Sequence, residues 1–313
     1  MYQNIYYDRK LNTMHVWDDK FGHQTFRYKK YAYVKNKSGT SVSLYGDKLK
    51  RVTDWDPEQP ELFESDVNPE IRVLVDNYTD SDDVSEGHRV MIFDIEVEVT
   101  DGFPEPSKAA NKVTSVAMYT KHDEKYRVYV LGEGQDNIKD GVDIRFYTTE
   151  SQLLKEFLKY WINVQPTCVT GWNTNGFDIP YLYNRITKVL GEEFANALSP
   201  IQIVKYNPNK KMYRIAGVSS LDYMDLYRKF TYTQQSSYRL DHIGTIEVGI
   251  GKVEYEGTLD DLYRDDIDKF IEYNLNDVEI VKALDQKFKL LDLARAVSHL
   301  GRIPYEEVYF SSR

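Results

Sequence analysis

The amino-acid sequence predicts an α/β protein in which a mixed sheet flanked by helices follows a smaller, β-rich N-terminal region. Three observations carry that expectation. Residues 93–99 alternate strictly, with Phe93, Ile95, Val97 and Val99 on one side and Asp94, Glu96 and Glu98 on the other, the period of a strand. Segments 150–161, 180–190 and 265–293 place apolar residues at helical spacing and alternate with short strand-like runs. Residues 1–75, by contrast, read as short strands broken by turns.

A chain of 313 residues is long for one core and comfortable for two. In the N-terminal part, Met14-His15-Val16-Trp17 leads into a turn at 18–22, and 24–34 alternates through Phe26, Tyr28, Tyr31 and Tyr33. The acidic stretch 76–88 (DNYTDSDDVSEGH) lacks any apolar period and reads as a linker, so the first domain is expected to span 1–88. A strand over 89–100 follows, then strands at 115–119 and 126–131. The helix over 150–161 presents Leu153, Leu154, Phe157, Leu158 and Trp161 on one side. A buried strand at 167–171 precedes the helix over 180–190. Two alternating runs within 201–218 flank Asn207-Pro208-Asn209-Lys210 and predict a β-hairpin. One long helix is expected over 265–293. The main domain is placed at 89–292, with 293–313 as a C-terminal segment.

Composition narrows the partners. The net charge of −10 argues against a broad basic face that coats nucleic acid, but not against an acidic site that grips phosphates through cations. The single cysteine, Cys168, allows neither an internal disulfide nor a thiolate zinc cluster, and a reducing, cytoplasmic setting is expected. The first thirty residues are charged throughout, unlike a signal peptide, and no apolar run approaches the ~20 residues of a membrane span. The 26 tyrosines suit half-buried strands, with base stacking as the sharper alternative.

Four segments bear on chemistry. In Phe93-Asp94-Ile95-Glu96, the period of two sets both carboxylates on one strand face, roughly 6–7 Å apart, a spacing that clamps a divalent cation. Alone, a solvated strand face explains this pair better. In GWNTNGFDIP, Asp178 stands just before a helix, where an N-cap serves equally well as an explanation. Asp277 is more telling, because its helical neighbours are Phe270, Tyr273, Ile280, Val281 and Leu284, and a carboxylate set among them is at least partly buried. Tyr273, four residues earlier, shares its face. The hairpin at 201–218, with Lys205, Lys210, Lys211 and Arg214, is unremarkable by itself. Other chemistries lack their residues. The segment Gly249-Ile250-Gly251-Lys252 is no phosphate loop, since Ile246 and Val253 stand where glycine and Ser/Thr belong. There is no HExxH and no G-x-S-x-G elbow.

Together, FDIEVE, GWNTNGFDIPYLYNRI and YNLNDVEIV resemble the three exonuclease motifs of family B DNA polymerases, in the family's order. The likeness extends to DGFPEPS, SSLDYMDLYRKF and SYRLDHIG, which look closest to polymerases of T-even-like bacteriophages, and it covers 89 to about 310 well. The resemblance implies a ribonuclease-H-like 3′→5′ exonuclease domain that removes mononucleotides from DNA with two divalent cations, Mg²⁺ or Mn²⁺. By that likeness Asp94 bridges the two ions, Glu96 and Asp277 complete the site that activates water, Asp178 serves the second ion largely through water, and Tyr273 orients the nucleophile. DNA contacts are expected from Phe103, Asn173, Phe177, Lys210, Lys211 and Lys252, with Phe103 as a wedge against the terminal bases.

The departures matter as well. Neither a SLYP-type nor a YGDTD-type segment is present, so primer extension is not expected of this chain alone. Its expected partners are a single-stranded or frayed 3′ end and polymerase palm, fingers and thumb, in cis or as a separate chain. Two rival readings are a single-strand clamp without catalysis and an RNA-directed exonuclease. All four acids and Tyr273 being present weighs against the first, and comparison of labelled DNA and RNA ends separates the second.

Overall fold

The computed structural model describes residues 1–56, 58–99 and 102–310. The end of the strand expected over 89–100, the start of the 101–107 segment and the last three residues of 293–313 therefore lie outside the described residues.

The chain opens with an antiparallel sheet of β1 (Tyr2–Asp8), β2 (Thr13–Asp18) and β3 (Gly22–Arg27). A second small sheet follows, built from β4 (Ala32–Lys35), β5 (Ser41–Val42), β6 (Lys48–Val52) and β7 (Leu62–Phe63). The reading of 1–75 as strands and turns missed a helix, α1 (Pro69–Tyr78). Asn68 caps it by accepting from the amides of Glu70 and Ile71, and Pro69 presets the first turn. Because α1 runs to Tyr78, it takes in the first residues of the stretch read as a linker.

The main sheet is mixed and has seven strands. In chain order the strands are β8 (Val90–Val97), β9 (Val113–Thr120), β10 (Lys125–Leu131), β11 (Asn137–Lys139), β12 (Val142–Tyr147) and β13 (Cys168–Thr170); then, beyond a separate hairpin of β14 (Val204–Asn207) and β15 (Met212–Ile215), comes β16 (Ser219–Ser220). Their spatial order is β11-β12-β10-β9-β8-β13-β16, with β8 antiparallel to β9 and parallel to β13.

Helices cover both faces: α2 (Glu150–Val164), α3 (Asp178–Val189) and α4 (Glu192–Asn196) precede the hairpin, and α5 (Tyr223–Phe230), α6 (Leu240–Val248), α7 (Leu259–Asp265), α8 (Ile267–Phe288) and α9 (Leu290–Gly301) follow it. The odd residues of β8, from Met91 to Val97, pack with Leu153, Phe157 and Trp161 of α2 and Ile179 and Leu182 of α3. Val90 and Ile92 pack instead with Val278 and Val281 of α8 and Leu290 of α9. Asp94 and Glu96 continue this second face, so they lie on the α8 side of the sheet.

The expected helix over 265–293 is two helices. Lys289 adopts a left-handed conformation (φ 52°), closing α8 and starting α9, which turns Leu290 and Leu291 into the core. Asp285 stabilises the break by accepting from the Leu291 amide at 3.3 Å.

The two chain ends meet in a buried polar cluster. The Tyr2 hydroxyl lies 2.8 and 2.7 Å from the carbonyls of Ser298 and Ile303, and the Tyr305 hydroxyl lies 3.1 Å from the Tyr2 carbonyl. Ser85 Oγ joins His88 Nε2 at 2.7 Å, His299 Nε2 at 3.0 Å and Tyr305 at 2.5 Å. His88 Nδ1 reaches Thr167, beside β13, at 2.9 Å. The acidic stretch is thus anchored at Ser85, which is 2% exposed.

Burial pushes His88 down to about 3 and His299 down to about 4 from an ordinary 6.5; Arg295 adds to both shifts and Asp19 opposes them. The unfolded chain therefore binds these two protons at higher pH than the folded chain. Their stabilising contribution is complete above about pH 6.5 and is lost as the pH falls from there toward 4. The thermal midpoint is expected to drop over that window, and to drop less steeply in a His88→Gln, His299→Gln double variant. Equal slopes in the two proteins would remove the histidines from the explanation.

Candidate active site

Three elements converge on the acids. Asp94 and Glu96 stand on β8, whose alternation aims both at α8. Asp277 descends from α8, held there by Phe270, Val278, Ile280, Val281 and Leu284, all nearly fully buried. Carboxylate oxygens of Asp94, Glu96 and Asp277 lie within 4.8 Å of one another. All three side chains are half-buried, so the solvated-face explanation of the Asp94–Glu96 pair does not hold.

Asp178 sits beside this trio at the start of α3, 2% exposed, its Oδ1 accepting from the Ile95 amide at 3.0 Å. The loop that delivers it is tight: a Cβ on Gly171 would come within 2.4 Å of the Phe93 carbonyl, and one on Gly176 within 2.4 Å of the Asn173 side chain. The backbone approach accounts for glycine at 171, whereas at 176 the close neighbour is the end of an exposed side chain that can move. Asp222, 1% exposed, holds the same loop from below by accepting from the amides of Asn173 (3.1 Å) and Asn175 (2.9 Å).

Desolvation is the first cause of the elevated pKa values here, and mutual repulsion adds to it. Asp94 is pushed well up by burial and then by Asp178, Asp277 and Glu96; Glu96 is pushed well up by burial and then by Asp277 and Asp178. Burial brings Asp178 and Asp277 up to about 7. Lys252 works in the opposite sense on Glu96 and Asp277. Its amine lies 5.0 Å from the Tyr255 ring centroid and 5.5 Å from that of Tyr273. The Tyr273 hydroxyl is itself raised by burial and by the Glu96 and Asp277 charges.

Sequence reasoning missed Asn274. It is fully buried, donates to Asp94 Oδ2 at 2.7 Å and accepts from the Ser115 hydroxyl. The signal was present, since a residue three before Asp277 shares its helix face as surely as Tyr273, four before it. The reach of Asp222 to the Asn173 loop had no such local signal.

The expected DNA contacts fall in three places. Phe103, 83% exposed, and Phe177 form a ring pair at 5.5 Å beside the acids' loop. Lys252 lies at the acids themselves. Lys210 and Lys211, at the hairpin turn, line a separate recess together with Asn173. Lys210 is ion-paired with Glu307 and lies over the Phe310 ring. A larger recess, about 1270 Å³, lies elsewhere, between the N-terminal strands and the end of α2.

Acids carried by a central strand and by helices over a mixed sheet define a ribonuclease-H-like nuclease domain. The particular family follows from comparison with known proteins. Residues 51–243 match the family model described as "DNA polymerase family B, exonuclease domain", and the chain belongs to that family. It is 34% identical over 251 residues to the DNA-directed DNA polymerase of Escherichia phage RB69, an alignment covering 71% of this chain and 28% of the relative. The corresponding values for the DNA-directed DNA polymerase of Enterobacteria phage T4 are 32% over 250 residues, 70% and 28%. For DNA polymerase 1 of Sulfolobus acidocaldarius they are 28% over 277 residues, 82% and 29%. The aligned part thus spans less than a third of these relatives. Among the described residues, no helix is long and apolar enough to cross a membrane.

An all-oxygen donor set of clustered carboxylates suits a hard divalent cation. Repulsion among the acids also yields a prediction that needs no ligand. With divalent ions chelated at pH 8.5, Asp277→Asn is expected to raise the thermal midpoint by roughly 2–4 °C, the shift that about 1 kcal/mol produces in larger domains. A lowered midpoint in calorimetric scans would show that Asp277 is held by attraction rather than strained by repulsion.

Proposed function

We propose that this chain is the 3′→5′ exonuclease portion of a family B DNA polymerase, hydrolysing the terminal phosphodiester of a single-stranded or frayed DNA end and releasing mononucleotides. The observation that carries the reading is the meeting of Asp94, Glu96 and Asp277 within 4.8 Å, with Asp178 adjoining. Family membership and the DNA polymerase names of the relatives support it. Palm, fingers and thumb in a longer polymerase are the expected partners.

Asp94, Glu96 and Asp277 would hold one Mg²⁺ or Mn²⁺, and Asp94 with Asp178 a second. Bound there, the cations supply electrostatic stabilisation of the attacking and leaving oxygens. The remaining work belongs to the chain. Asn274 fixes the Asp94 carboxylate through Oδ2, so its other oxygen stays directed into the site. The Tyr273 hydroxyl, one turn before Asp277, orients the attacking water. Lys252 offsets negative charge beside Glu96 and Asp277. Phe103 and Phe177 offer a stacking surface for terminal bases, with Phe103 as the wedge.

A 3′-labelled single-stranded oligonucleotide is expected to shorten in single-nucleotide steps with Mg²⁺ or Mn²⁺, faster than a matched duplex, and to stay intact with a chelator. Folded protein that leaves such DNA untouched with both metals would overturn the assignment.

The two residues sharing a face of α8 are expected to differ in kind. Asp277→Ala removes a charged ligand, so Mn²⁺ titration calorimetry should show weakened binding and single-turnover rates should fall by ~10⁴-fold or more, at or past the top of the range for positioned groups. Tyr273→Phe keeps the ring and should retain Mn²⁺ binding with a smaller rate loss, ~10²–10⁴-fold. Equal loss of metal affinity in both variants would make Tyr273 structural, and full activity in Asp277→Ala would end the two-metal reading.

A further inference from the structure

A recess of about 580 Å³ opens on the far side of the loop that leads into Asp178. Lys210, Lys211, Arg228 and Lys229 line it, and Asn173 and Gly176 form the wall shared with that loop. Four cations around one recess stand out in a chain of net charge −10.

The acids at its base do not cancel them all. Asp222 is 1% exposed, and its carboxylate is taken up by the amides of Asn173, Asn175 and Met224 at 2.9–3.1 Å. Asp225 is half-buried; burial raises its pKa, and the Arg228 charge opposes that rise without a close ion pair. Lys210 is neutralised by Glu307. Lys211 is exposed, and Arg228 stacks on the Tyr238 ring with its guanidinium 4.4 Å from the centroid. Neither of these two makes an ion pair among the described residues. A guanidinium braced on a ring loses little freedom on meeting a phosphate. Exposed Phe103 and half-buried Phe177 form a ring pair at the same loop, and single-strand recognition combines such rings with a positive track for the backbone.

We propose that the recess binds the phosphodiester backbone of single-stranded DNA adjoining the end held at the acids. The inference rests on the exonuclease reading and deepens it by naming where the strand is gripped. Lys211 and Arg228 are the contacting cations, and Asn173 and Gly176 couple the grip to the loop carrying Asp178.

The test uses the full chain and a Lys211→Glu, Arg228→Glu double variant. Its control is a Lys155→Glu, Lys188→Glu variant, with the same charge change on exposed lysines away from the recess. On a 3′-labelled single strand of about twelve nucleotides, the recess variant is expected to raise KM about tenfold or more with kcat little changed. Its slope of log binding constant against log salt should flatten by about 0.7 for each phosphate that is no longer neutralised. Hydrolysis of the p-nitrophenyl ester of thymidine 5′-monophosphate, which has no neighbouring backbone, should match wild type, and so should the thermal midpoint. Binding of the same oligonucleotide, read by fluorescence anisotropy in chelator, should weaken about tenfold only in the recess variant.

Unchanged affinity and salt slope in the recess variant would overturn the proposal, as would equal weakening in the control. A wild-type chain that binds the strand through the recess yet cleaves neither substrate would sink the exonuclease reading and leave the backbone site standing.

Discussion

Gathering four carboxylates at the end of one strand is the constraint on which the rest of this structure depends. Each acid is desolvated, and each is pushed up in pKa by burial before any neighbour is counted. Left to itself, such a cluster would spread apart. It is held because β8 and α8, which carry three of the four acids, are packed into the core. β8 lies inside a seven-stranded sheet with partners on both edges, and α8 is riveted to it through Val278, Ile280 and Val281. Polar contacts do the fine adjustment: Asn274 and the Ile95 amide each fix one carboxylate oxygen, and Lys252 offsets part of the charge.

The chain ends are held by a second set of buried contacts, on the face of the sheet that α8 and α9 cover. α9 and the 305–309 turn close over Tyr2, Ser85 and His88, while Arg214 of the hairpin makes a two-point ion pair with Glu70 of α1 at 2.9 Å. The N-terminal strands are therefore tied to the nuclease core through buried polar groups as well as through the shared apolar cluster of Tyr2, Ile5, Met14 and Val16. Polar ties of this kind are directional, and they set the position of one part on the other more narrowly than apolar contact does.

Much of this was legible in the residues, and the limits of legibility have physical causes. Alternation in β8 and helical spacing in α2 and α8 are local periodicities; β8 and α2 formed where they were expected, while the helix expected over 265–293 formed as α8 and α9. The acids were found because three short motifs resemble a known family in order, and the structure brings Asp94, Glu96 and Asp277 together. α1 escaped because it is only ten residues long, its cap, Asn68, sits in a turn-rich context, and its last residues run into the acidic stretch read as a linker. The break at Lys289 escaped because helical spacing runs straight through it; only the tertiary pull on Leu290 and Leu291 makes the left-handed turn worthwhile. Asp222 lies more than forty residues from the loop it holds, and nothing local to either segment announces the pairing.

Net charge was the least informative quantity of all, and the reason is one of distance. At physiological ionic strength, exposed charges further apart than about 8 Å barely feel each other. A surplus of ten negative charges spread over the surface therefore neither prevents nor signals contact with a polyanion. What decides is the arrangement within one Debye length of the approaching phosphate. In this chain the acids most concerned are clustered, half-buried and raised in pKa, while Lys252 stands beside them and Lys211 and Arg228 face a recess one loop away. The loop from Asn173 to Asp178 separates these two environments and belongs to both. Its amides are held by Asp222, and its last residue joins the acids. A charge pattern that looks unsuited to DNA in sum is, at this one loop, suited to it on either side.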